Sequence, residues 1–184
     1  MKQTTLFGGE KHIRRSAEIS ECGRYRWRLR RARVNFNKDG QPAGSKGVCC
    51  FIMLNPSTAD GLQDDRTICR CISFAKDWGY STLSVRNLFP WRETKPANLP
   101  KDLILITGGH RGMTELVTAL TADLVVCAWG AKVPFDRDIQ ILDRFKEIAP
   151  AKPLHCVRLS DGGKPWHPLY VSGDTQPMLF QEAK

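Results

Sequence analysis

Apolar and polar positions alternate from residue 16 to 36, with a Cys22-Gly23 turn in the middle, and the pattern predicts a β-hairpin. Its second strand, RYRWRLRRARV, sets Tyr25, Trp27 and Leu29 on one face and Arg24, Arg26, Arg28 and Arg30 on the other, because strand side chains alternate. Residues 37–47, NKDGQPAGSKG, have loop composition. After residue 47 the rhythm changes. VCCFIML is a continuous apolar run, as in a strand covered on both faces. DDRTICRCISFAKDWG puts Ile68, Ile72 and Ala75 on one helical stripe and stops at Gly79. TLSVRNLF reads as the next strand, PWRETKPANLP as a Pro-rich loop and GMTELVTALTA as a helix. DLVVCAWG is a third buried strand and LHCVRLS a fourth. Between them, PFDRDIQILDRFKEIA predicts an amphipathic helix with Ile139, Leu142, Phe145 and Ile148 inward.

Alternating strands and helices predict an α/β three-layer sandwich with a mostly parallel central sheet, carrying the N-terminal hairpin at one edge. A chain of 184 residues suits one such domain. Residues 1–15 are polar and basic and read as an N-terminal arm, with residues 16–184 as a single α/β domain.

In open α/β sheets, ligands bind beyond the carboxyl ends of the strands. The first predicted strand ends on Asn55, Pro56, Ser57 and Thr58, followed by Asp60. The second ends on Asn87, with Trp91 and Arg92 close behind. The third ends on Trp129 and Gly130, and the fourth leads to Trp166, His167 and Leu169. Amides, a carboxylate, an imidazole and aromatic rings thus converge on one rim. They suit a flat, hydrogen-bonding ligand such as a nucleobase. Pro56 fixes its own φ and biases Asn55 toward extended backbone, so the amide projects at a defined angle. Each residue also has a structural reading. Asp60 suits a helix N-cap, and Asp64 and Asp65 complement a helix dipole.

Charge sharpens the expectation about partners. The net charge is +9 and the pI about 9.4, which favours nucleic acid, or a nucleobase or nucleotide. Arg24, Arg26, Arg28 and Arg30 form the candidate phosphate-contacting stripe. The seven cysteines make no CxxC pair and fit no standard ligand spacing, so neither a metal nor another cofactor is expected. They read as reduced thiols of a cytoplasmic protein, and no apolar run reaches the ~20 residues of a membrane span.

The motifs RYRWRLRR, FIMLNPSTAD, DDRTICRCISFAKDWGY, VRNLFPWRETKP, VVCAWGA and GKPWHPLY together resemble a family catalogued as domain of unknown function 1643, over about residues 22–178. A more distant similarity is to uracil-DNA glycosylases and their mismatch-specific relatives, whose strand-end Asn-Pro motif and late His-Pro motif look like LNPS and HPLY. That resemblance implies a glycosylase-like fold and hydrolysis of an N-glycosidic bond at a base, in DNA ahead of RNA, without a metal. It implies that Asn55 orients the attacking water, that His167 donates to the departing base, and that Asn87 reads the base edge. Leu54 stands where the first motif of those enzymes has a glycine, and the late motif lacks their serine, although Leu169 suits a wedge. Asp60 is the alternative water-side group. Two other readings compete: a non-catalytic nucleic-acid or nucleotide binding module, and a metal-dependent hydrolase built on Asp60, Asp64 and Asp65. The latter has no histidine at ligand spacing.

Overall fold

The computed structural model describes residues 2–5, 13–36, 43 and 46–181. Among these residues eight strands form one sheet: β1 (Lys2–Thr5), β2 (Arg14–Ile19), β3 (Arg26–Ala32), β4 (Lys46–Met53), β5 (Tyr80–Asn87), β6 (Leu124–Cys127), β7 (Leu154–Cys156) and β8 (Met178–Gln181). Their order is β1-β2-β3-β5-β4-β6-β7-β8. The middle, β5-β4-β6-β7, is parallel, and the flanking pairs are antiparallel. The helices are α1 (Arg66–Asp77), α2 (Leu103–Thr107), α3 (Gly109–Val117) and α4 (Arg137–Ile148). The fold is mixed α/β, with a sheet parallel at its centre. Among the described residues no helix is long and apolar enough to cross a membrane.

The continuous apolar run of β4 is explained by its two neighbourhoods. Cys49, Phe51 and Met53 join one core cluster with Ile68, Cys71 and Phe74 of α1. Cys50 and Ile52 join a second with Ile106 of α2, Leu116 of α3, and Ile141 and Phe145 of α4. Residues of both parities are therefore shielded from water, and no polar position survives from Val48 to Met53.

The predicted hairpin is β2 and β3, joined to the sheet through β3 against β5. Strand β1 lies outside it and begins in the stretch read as an arm, of which residues 1 and 6–12 lie outside the described residues. Of the loop read at 37–47, residues 37–42, 44 and 45 also lie outside them.

The expected alternation along β3 fails. Ile19 pairs with Arg26 but Glu18 with Arg28, so Trp27 is an extra residue and the phase flips there. Arg26 consequently reaches the α1 side, where it is 3% exposed, together with Leu29 and the fully buried Arg31. Trp27 and Arg28 turn the other way, against Arg111 and Glu18. Arg24, Arg26, Arg28 and Arg30 do not form one solvent-facing stripe.

Helix α4 also buries a different stripe from the expected one. Ile141 and Phe145 are buried beside Asp138, whereas Ile139 and Ile148 are largely exposed. Residues spaced by threes drift about 60° per step around a helix, so Ile139 and Ile148 lie roughly opposite one another. They cannot share a face. The short elements α2 and β8 carry too little periodicity to be read from sequence.

Candidate functional site

A cleft of about 910 Å³ opens past the carboxyl ends of β4, β5 and β6. Asn55, Ser57, Thr58, Asn87, Trp129, Gly130, His167 and Leu169 all line it. Beyond Met53 the β4 chain stays tied to the chain after β5, because Leu88 N–H donates to Met53 C=O and Phe89 N–H to Leu54 C=O. Pro56 is buried, and its carbonyl accepts from Glu93 N–H. The Asn55 amide Nδ2 donates to Glu93 C=O at 2.6 Å and to Pro56 C=O at 3.3 Å. Both of its hydrogens are thereby used. Its Oδ1 carries no hydrogen bond among the described residues, so Asn55 offers the cleft an acceptor in a fixed direction.

His167 arrives on a loop that several contacts hold in place. Gly130, at φ 87°, follows β6 in a left-handed conformation that favours glycine, and its N–H donates to Pro165 C=O at 3.0 Å. Lys164 pairs with the buried Asp138 of α4 at 2.5 Å, and Trp166 N–H donates to Arg158 C=O. The Nδ1 of His167 accepts from Leu169 N–H at 3.3 Å. Burial pushes the imidazole below the ordinary histidine value, with the Asp65 carboxylate opposing. A neutral ring whose Nδ1 accepts carries its proton on Nε2. His167 is thus a neutral donor.

Asn87 and Trp129 complete the wall, and both keep a buried donor without a partner: Nδ2 of Asn87 and Nε1 of Trp129. The Asn87 amide orientation follows from Arg26, whose Nη2 donates to Asn87 Oδ1 at 3.3 Å, since a guanidinium only donates. Arg26 also donates to Ala59 C=O at 2.8 Å, and its Nε is a third buried donor without a partner. Burial lowers this guanidinium to about 10, with Asp65 opposing, so it remains charged at neutral pH. No carboxylate lies within ion-pair distance of it among the described residues. Unsatisfied buried donors are costly, and here they share one cleft wall with one unpaired cation. The chemistry of this wall suits a ligand rich in acceptors, or one gaining negative charge.

Other candidate residues are engaged differently. The Asp60 carboxylate is outside the cleft wall and accepts from Leu62 and Gln63 N–H, closing the turn before α1. Trp91 and Arg24 line a neighbouring pocket. Trp166 is covered by Arg158 outside the cleft wall. Arg28 pairs with Glu18, and Arg30 is exposed on a separate basic pocket. Asp64 borders the cleft but is held between Arg15 and Arg31, at 2.9 and 2.6 Å. Asp65, the actual N-cap of α1, accepts from Ile68 N–H and lines the cleft. Sequence reasoning missed Arg26 and Asp65 as cleft residues. The bulge at Trp27 hides the first, and the adjacent identical carboxylates hide the second. No group of three or more His, Cys, Asp or Glu side chains that could hold a metal occurs among the described residues.

Residues 26–169 match the family described as "Protein of unknown function (DUF1643)", and the chain belongs to that family. Neither the curated proteins nor the solved structures contain a match to the chain.

Proposed function

We propose that this family member acts on a base in nucleic acid, hydrolysing an N-glycosidic bond on a glycosylase-like three-layer α/β/α fold. The observation that carries the reading is the pairing of the free Asn55 Oδ1 and the neutral His167 ring in one cleft. Cleavage of a glycosidic bond passes through an oxocarbenium-like sugar while negative charge builds on the departing base. The cleft matches both needs. Asn55 Oδ1 accepts a hydrogen bond from water and orients it toward the sugar carbon, and the proton that water loses as the C–O bond forms ends on the departing base. His167 Nε2–H, Asn87 Nδ2, Trp129 Nε1 and the Arg26 charge stabilise the base as it leaves. A neutral histidine donates without first losing a proton, and a desolvated site strengthens each such interaction. The two core clusters on opposite sides of β4 support the layering.

The test is single-turnover release of free base from oligonucleotides carrying uracil, hydroxymethyluracil, hypoxanthine or mismatched thymine, single- and double-stranded. Release from any of them, followed by alkali-labile strand breakage, is the expected result. Tight oligonucleotide binding with no release from any of them sinks catalysis on these bases and favours a binding module.

A further inference from the structure

Beside the main cleft lies a pocket of about 440 Å³ that shares Ser57, Thr58, Glu93 and Thr94 with it. Its remaining wall is Cys22, Gly23, Arg24, Trp91 and Arg92. Backbone contacts build it rigidly: Tyr25 and Trp91 form a β-bridge, and Arg92 N–H donates to Arg24 C=O at 2.8 Å. Arg92 uses Nη1 on Gly23 C=O, while its Nε is buried and has no partner. Arg24 lies over the Trp91 ring, 5.9 Å from its centroid. Neither arginine has an ion pair among the described residues, and the Glu93 carboxylate accepts from Lys95 N–H. The hydroxyls of Ser57 and Thr58 also carry no hydrogen bond among the described residues.

We propose that this pocket takes a phosphodiester flanking the nucleotide in the main cleft, so that the substrate is a polynucleotide rather than a free nucleoside. The inference rests on the nucleic-acid reading of that cleft. Two guanidiniums and two hydroxyl donors around one space are the donor set that phosphate oxygens require. Ser57 and Thr58 border both spaces and so place them side by side, within reach of neighbouring nucleotides of one chain.

The test measures binding of the full chain to thymidine, thymidine 5′-monophosphate and single-stranded trithymidylate. Wild type should bind the trinucleotide at least about tenfold more tightly than the nucleoside, as a charge-assisted contact allows. Arg24→Gln and Arg92→Gln should each shrink that ratio, and each should flatten the salt slope of trinucleotide binding by about 0.7. Arg92→Lys should restore part of the ratio. Arg24 is exposed, so its replacement leaves the fold intact and keeps the test decisive if Arg92→Gln fails to fold. Equal affinity for nucleoside and trinucleotide overturns the proposal, as does an equal loss for both ligands in the variants. A mononucleotide that captures the whole gain overturns its polynucleotide half. Base release by wild type is scored separately. Release with an unaltered ratio in both variants removes the pocket and keeps the glycosylase reading. No release with a ratio that falls as expected does the reverse.

Discussion

The guanidinium of Arg26 donates to the side-chain oxygen of Asn87 across 3.3 Å, leaving the Asn87 amide nitrogen buried in the cleft wall without a partner. Arg26 therefore does two things at once. It fixes which way the Asn87 amide faces, and it brings an unpaired positive charge to the place where negative charge is proposed to develop.

Arg26→Gln should consequently slow base release by about a hundredfold or more, the usual cost of removing one preorganised electrostatic donor. Its effect on folding should stay within about 1–3 kcal/mol, since Ala59 C=O and Asn87 Oδ1 lose a donor but no buried ion pair is broken. Single-turnover release and urea unfolding of the same preparation check both halves. A variant that releases base at the wild-type rate removes Arg26 from the chemistry.

The adjacent aspartates should separate cleanly. Asp64→Asn leaves two buried guanidiniums, Arg15 and Arg31, without the carboxylate between them, and should cost about 3–5 kcal/mol. Asp65→Asn keeps a side-chain oxygen for Ile68 N–H, and asparagine caps helices as well as aspartate, so its cost should stay below about 1 kcal/mol. Urea midpoints at pH 7 measure the difference. Equal losses at the two positions would mean that the Arg15–Asp64–Arg31 cluster does not hold β2 and β3 to the turn before α1.

Those aspartates also show what the chain discloses before it folds. The convergence of Asn55, Asn87, Trp129 and His167 was legible, because the first three close apolar strands, His167 lies on the loop after the last parallel one, and strand ends of a parallel sheet share one rim. The central strands were legible for the same reason. The role of Asp64 was not, since its partners come from β2 and β3, far away in sequence. Arg26 was misread because one bulged residue inverts the facing of everything on one side of it. Asp60 looked like a site residue by its position after the Asn-Pro motif, yet its carboxylate is consumed by the turn it sits in.

Acid should weaken the fold through histidine. Burial holds His167 below the ordinary value of 6.5, and burial, aided by Lys152, does the same to His155. As pH falls through 6.5 the unfolded chain takes up these protons before the folded one does. Their contribution is therefore complete above 6.5 and is lost as pH falls from there toward the folded-state values. Melting temperatures between pH 7.5 and about pH 5 should drop accordingly. His167→Gln should make the drop shallower. An unchanged slope in that variant would mean that His167 is not held neutral by burial. Base release should lose rate on the acid side of the same window as Nδ1 gains a proton and gives up the Leu169 N–H.

The sharpest expectation concerns His167 and Asn55 together. A donor aimed at the leaving base matters most once charge has developed there, so its loss acts on the transition state rather than on binding. His167→Ala should lower the single-turnover rate by on the order of a hundred- to a thousandfold, with oligonucleotide affinity nearly unchanged. Asn55→Ala should be slow for a different reason. It removes the one acceptor that its two amide contacts, to Glu93 and Pro56 C=O, hold in position, so water is misplaced. If water attack and base departure are parts of one step, either loss already spoils that step. The double variant should then be less impaired than the product of the two single effects. Full multiplicativity would mean that the residues act independently, and an unimpaired His167→Ala would remove the leaving-base role altogether. Measuring the four rates on one oligonucleotide, with affinities taken alongside, separates these outcomes.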